Sequence, residues 1–139
     1  MNEKLNSILR ELKSVRLNLS TPQYLPSDEL IDEYESEIGI VFPEDYRSFL
    51  KEASDSMLNG KDALRLTPNR SHPRELSVAL MDARQIGLPK DWLPICEDNG
   101  NYFCLTPDQK IRFWDHNGSS DESWPDLATW IKDVWIDEK

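Results

Sequence analysis

The sequence predicts an α+β domain in which about four to five helices cover a mostly antiparallel sheet. Three observations carry this expectation. Apolar residues recur at helical spacing from Leu5 to Ala53 and again at the C-terminal end. From Leu93 to Trp114, short apolar runs alternate with turn signals, the pattern of a three-stranded meander. With 139 residues, 38% of them hydrophobic, the chain is long enough for one core and short of what two domains usually need. Residues 1–139 are therefore read as a single domain, with no internal repeat, low-complexity segment or evident boundary.

Residues 2–17 place Leu5, Ile8, Leu9, Leu12 and Val15 on one stripe of an amphipathic N-terminal helix. Pro22 and Pro26 then break the chain. Ser27 suits an N-cap, Asp28 and Glu29 favour the positive end of a helix dipole, and Leu30, Ile31, Tyr34 and Ile38 form the apolar side up to Gly39. Pro43 is expected at the first position of a third helix that buries Tyr46, Phe49, Leu50 and Ala53. Ala63 to Thr67 alternates like a short strand, and a loop follows through Pro73. Residues 75–86 fit a helix, with Leu76, Val78, Ala79, Leu80, Ala83 and Ile86 as its apolar side; a strand over 77–80 is the alternative. The meander strands run Leu93–Cys96, Tyr102–Leu105 and Lys110–Trp114, with Phe103, Leu105, Ile111 and Phe113 as core candidates. They turn at Asp98-Asn99-Gly100-Asn101 and at Thr106-Pro107-Asp108-Gln109. His116 to Glu122 reads as a loop. A last helix begins near Pro125, with Leu127, Trp130, Ile131, Val134 and Trp135 on one stripe.

Charge narrows the function classes. Asp and Glu number 26 against 16 Lys and Arg, a net charge of −10 with a pI near 4.6. Such a chain is repelled by nucleic acid and anionic lipid and attracts cationic partners. Solubility is the plain alternative reading of the same excess. Eight acids and no Lys or Arg lie between Ser27 and Tyr46, and a second acidic stretch runs from Asp115 to Asp133 with Lys132 its only base. No apolar run reaches the length of a membrane span, and Met1-Asn2-Glu3-Lys4 does not lead into a signal-peptide core, so a cytoplasmic location is expected.

The motifs for chemistry are poor. Cys96, Cys104 and His116, with Asp98 or Asp115, do not have the spacing of a zinc site, and no metal or other cofactor is expected. The two Cys fall almost opposite each other across the predicted hairpin. A bridge there is geometrically conceivable, but in a reducing compartment they read as small buried hydrophobes. Neither His72 nor His116 accompanies an oxyanion-type turn, and the five Gly form no phosphate-binding loop. No catalytic residue is assigned and no enzymatic activity is expected. Trp130 and Trp135 read as core, whereas Trp92, Trp114 and Trp124 stand at element ends, where core edge and binding-site wall are both open.

Three blocks in order carry a resemblance. Glu37-Ile38-Gly39-Ile40-Val41-Phe42-Pro43-Glu44-Asp45-Tyr46 with Phe49-Leu50 resembles the N-terminal signature of the SUKH superfamily, whose yeast relatives are the Smi/Knr cell-wall assembly regulators. Leu93 to Leu105 is similar to its central hairpin, and Ile111-Arg112-Phe113-Trp114-Asp115-His116 to the strand that follows. The resemblance covers about residues 27–135, preceded by the helix at 2–17. Two details depart from the family pattern: Asn59-Gly60 comes late after the helix, and Asn99-Gly100-Asn101 replaces a Gly-Gly turn.

The resemblance implies a non-enzymatic binding domain of the bacterial immunity type, which protects its producer by binding a basic, often nuclease, toxin domain. The acidic composition agrees with such a partner. The contact surface is expected on the sheet edge and loops, about 800 Å² per partner. Carboxylates of Glu97, Asp98, Asp115, Asp121 and Glu122 would steer, with Asn99, Tyr102, Trp114 and His116 as further contacts and the aromatics as anchors. The chain itself would be a monomer or weak dimer that binds neither nucleic acid nor membrane. A regulatory or scaffold module that binds an endogenous protein is the alternative.

Overall fold

The computed structural model describes residues 3–16, 25–70, 73–98, 100–115 and 118–138, with the backbone alone over 118–121. Helix α1 (Glu3–Val15) buries Leu5, Leu9 and Leu12 almost completely. Val15, expected on the same stripe, is exposed because at 100° per residue it falls about 90° round from that line. Helix α2 (Asp28–Ile38) starts where the Ser27 hydroxyl accepts the Leu30 N–H and stops at Gly39, whose φ of 81° only a residue without Cβ adopts readily. Helix α3 (Glu44–Ala53) begins one residue later than expected: Pro43, with ψ at 157°, is the N-cap rather than the first helical residue. The Glu35 carboxylate ties the two helices together, accepting the Phe42 N–H and Arg47 Nη1, each at 2.6 Å.

The expected meander is present and is extended on both sides. Six antiparallel strands run in sequence order: β1 (Met57–Leu58), β2 (Lys61–Ala63), β3 (Leu93–Asp98), β4 (Asn101–Leu105), β5 (Ile111–Asp115) and β6 (Gly118–Trp124). Asn59 and Gly60, with φ of 54° and 78°, make the tight β1–β2 turn, so the late Asn-Gly of the sequence is a hairpin. The strand expected over Ala63–Thr67 overlaps β2 only at Ala63. Beyond it the Leu64 N–H donates to Ile95 O at 3.0 Å, and Arg65 bridges Glu75 in isolation. At the other edge, residues 118–122 form a strand where a loop was expected. Backbone pairing with β5 alone makes them a strand, which a polar sequence without apolar alternation does not signal.

Residues 76–85 form helix α4 (Leu76–Gln85), and the strand alternative fails. It buries Leu76, Ala79, Leu80 and Ala83, while Val78 and Ile86 stay exposed. Helix α5 (Leu127–Trp130) is capped by Asp126, which accepts the Thr129 N–H at 2.7 Å, and continues as a π-helical stretch over Ile131–Ile136. The wider winding, seen in the Asp137 N–H reaching Lys132 O, still buries Ile131, Val134 and Trp135.

Strand alternation gives the sheet two apolar faces. Phe103, Leu105 and Ile111 join the larger cluster with Leu9, Ile31, Phe49, Trp130 and Trp135 of the helices. On the other face Cys104 and Trp114 lie under Leu80 and Ala83 of α4. A bulge between Pro94 and Cys96 sets Cys96 opposite Phe103 and Pro94 opposite Cys104. The two thiols therefore belong to separate clusters on opposite faces instead of facing each other. Both are free, and burial pushes both well above the usual thiol value.

Candidate binding surface at one end of the sheet

In a meander, alternate turns share one end of the sheet. The β1–β2 turn, the β3 and β4 ends at Asp98 and Asn101, and the β5 and β6 ends at Asp115 and Gly118 thus share one end, and with them Glu97, Tyr102 and Trp114. Glu97 pairs with Tyr102, and Tyr102 with Trp114, across neighbouring strands. Asp98 is half-buried at the last rung and has no ion-pair partner among the described residues. Glu122 is exposed on the β6 edge. Asn99 and His116 lie outside the described residues, as does the side chain of Asp121.

Trp114 is corrected by the structure: at 3% exposure it is not available as an anchor. It supports Tyr102 instead, the two rings stacked with centroids 6.4 Å apart and planes 21° apart. Tyr102 is the half-buried aromatic that this end presents. Burial first, then the carboxylates of Glu97 and Asp82, push its hydroxyl above the ordinary value, against the pull of Arg74.

Arg74, Asp62 and Asp82 were not among the sequence candidates. Arg74 Nε donates to Asp62 Oδ2 at 2.9 Å, and its Nη2 lies 3.6 Å from Glu97 Oε1. Glu97 also accepts the Gly100 N–H at 3.1 Å, so it is held on two sides. Arg74 stands in a polar loop with no periodicity, and only the fold carries it to the sheet. Among the described residues, no group of three or more His, Cys, Asp or Glu is placed to hold a metal ion. No described helix is long and apolar enough to cross a membrane.

The acid-rich segment of α2 and α3 is less one-sided in space than in sequence. Arg47 reaches Asp28, Asp32 and Glu35 at 3.3, 3.0 and 2.6 Å, Lys51 also meets Asp28, and Arg70 pairs with Glu37 while lying 4.0 Å over the Tyr34 ring. These bases come from outside the acidic run.

A six-stranded antiparallel meander with helices on both faces and acidic residues at one end defines a small α+β domain. The model of the SUKH_5 family, described as SMI1-KNR4 cell-wall, matches residues 2–136, and the chain belongs to this family. The match takes in α1, which the resemblance had left outside the family core. A crystal structure of a protein from Pseudomonas syringae pv. tomato is similar, with a TM-score of 0.85 and 26% identity over 95% of this chain and 98% of that one. No curated protein matches the chain.

Proposed function

We propose that this chain is a protein-binding domain that captures and neutralises a basic toxin domain, without catalysing a reaction of its own. The observation that carries the reading is the convergence of Glu97, Asp98 and Asp115 beside Tyr102 at one sheet end, on a chain of net charge −10. A toxin domain that holds phosphate is basic, and fixed carboxylates at the rim of a rigid sheet meet such a surface with little rearrangement. Opposite net charges also raise the encounter rate. A second reading, a regulatory module that binds an endogenous protein, is favoured by the cell-wall description of the family.

Co-expression with the C-terminal domain encoded by the neighbouring gene tests the first reading, scored by rescue of growth and by co-purification. In the complex, the double substitution Asp98→Lys with Asp115→Lys is expected to slow association about tenfold at low salt, with the difference closing in high salt. Wild-type association by that variant removes these residues from the site. Absence of both rescue and co-purification leaves the regulatory reading.

A further inference from the structure

The other end of the sheet lies about 14 Å along β4 from the candidate surface, where Leu105 pairs with Leu93 and Ile111. The connection between α2 and α3 passes there. Ile40, Val41, Leu93, Leu105 and Pro107 are walls of a hollow of about 240 Å³. Pro43, Leu105 and Gln109 are shared with a second hollow of about 140 Å³ that runs towards Pro125 and Leu127. The turn on one side is fixed, with the Gln109 N–H on Thr106 O at 2.8 Å and the Thr106 N–H on Lys110 O at 3.0 Å. Val41 is 82% exposed, the most open of the large hydrophobic residues described.

Every charged wall is a carboxylate. Asp91 lines the first hollow, Asp45 and Asp126 line the second, and no Lys or Arg is among the described walls of either. Lys4 meets Asp126 at 3.6 Å and Asp45 has a partner of its own. Asp91 is exposed and has no ion-pair partner among the described residues. Lys90 and Lys110, beside these walls in sequence, are exposed and line neither hollow.

We infer that the larger hollow receives one arginine side chain of the protein partner. Its stem would lie against Leu93, Leu105 and Pro107, and its guanidinium fork would meet the Asp91 carboxylate. The hollow is smaller than the roughly 300–1,000 Å³ of pockets for drug-sized ligands and suits a single anchoring side chain, a role in which arginine is enriched. An apolar side chain would cover Asp91 without pairing it, and an acidic one would meet it as a like charge. The inference rests on the cationic-partner reading but uses residues separate from the candidate surface.

The test titrates the full chain, labelled for NMR, with an end-blocked Leu-Arg-Leu peptide, its citrulline analogue, which keeps the side-chain shape without the charge, and its glutamate analogue. In about 0.15 M salt, where charges 14 Å apart are largely screened, amide shifts are expected at Val41, Asp91, Leu93 and Gln109 with the arginine peptide. Asp91→Asn should weaken its binding about tenfold and Val41→Ser about threefold, whereas Asp98→Lys with Asp115→Lys changes it less than about twofold. Citrulline binding as tightly as arginine, or wild-type binding by Asp91→Asn, overturns the assignment. Shifts centred on Glu97, Asp98 and Asp115 instead overturn the hollow while leaving the cationic-partner reading intact. Absence of arginine-peptide binding anywhere overturns the hollow and counts against that reading as well. Sedimentation that finds a dimer dissociated by Asp91→Asn assigns the hollow to a second copy and also overturns the inference.

Discussion

Trp130 and Trp135 are both fully buried, with ring centroids 5.4 Å apart, yet they differ in one polar contact. Trp135 Nε1 donates to the carbonyls of Leu58 and Lys61 at 3.0 and 3.2 Å, and its own carbonyl accepts Asn59 Nδ2 at 2.8 Å. The C-terminal helix thus holds the β1–β2 hairpin at the sheet edge. Trp130 Nε1 has no hydrogen-bond partner among the described residues. Replacing either ring by Phe removes similar apolar volume, worth about 1–2 kcal/mol as a partly relaxed cavity. Trp135→Phe additionally deprives two part-buried carbonyls of this donor, at about 1–3 kcal/mol. The expected costs are about 2–5 kcal/mol for Trp135→Phe and about 1 kcal/mol for Trp130→Phe, where removal of an unpaired buried N–H offsets part of the cavity. At this chain length each kcal/mol corresponds to about 3 °C in Tm. Urea titration followed by far-UV circular dichroism measures both, and hydrogen exchange at Lys61 and Ala63 reports the hairpin. A Trp130→Phe cost equal to or above that of Trp135→Phe would refute the assignment of the hairpin's anchoring to the indole N–H.

Two further outcomes follow from the charge arrangement. Arg47→Met should destabilise the fold by about 2–3 kcal/mol at low salt, because Glu35, only 21% exposed, loses its counter-ion and three carboxylates at turn spacing repel. Roughly 1 M NaCl should recover part of this loss, and a deficit insensitive to salt counts against repulsion as its cause. Asp126→Asn tests the α5 cap through pH. Burial raises the Asp126 carboxyl, but the Thr129 N–H and hydroxyl together with Lys4 outweigh it, so the native value lies below the ordinary 3.8. The stability it contributes is therefore fully present above that value and lost as pH falls through the lowered native one. Asn keeps an acceptor for the cap and does not titrate, so melts should show wild type and variant converging on acidification. A constant gap argues against the linkage.

Helices and the central meander were legible because their signals are local. The Leu5–Leu9–Leu12 stripe, the Ser27 cap, the Gly39 stop and the Asn-Gly turn near Asp98 each act within a few residues. The same Asn-Gly signal at residues 59–60 stood between strands of two and three residues, too short to show alternation. β6 carried no apolar pattern, since pairing with β5 alone makes it a strand. Within the candidate surface, the pairing of Glu97, Tyr102 and Trp114 was readable from hairpin register. The burial of Trp114 was not, because it depends on α4 crossing that face.

Sequence alone determined the class of fold, the acid excess and the family signature, all of which reside in composition and short-range spacing. Tertiary structure alone decided which carboxylates remain available. Arg47, Arg70 and Arg74 each reach acids twelve or more residues away, and a one-residue bulge in β3 sends Cys96 and Cys104 to opposite faces. Coulomb attraction depends on distance in space, which spacing along a chain does not report until the fold is formed.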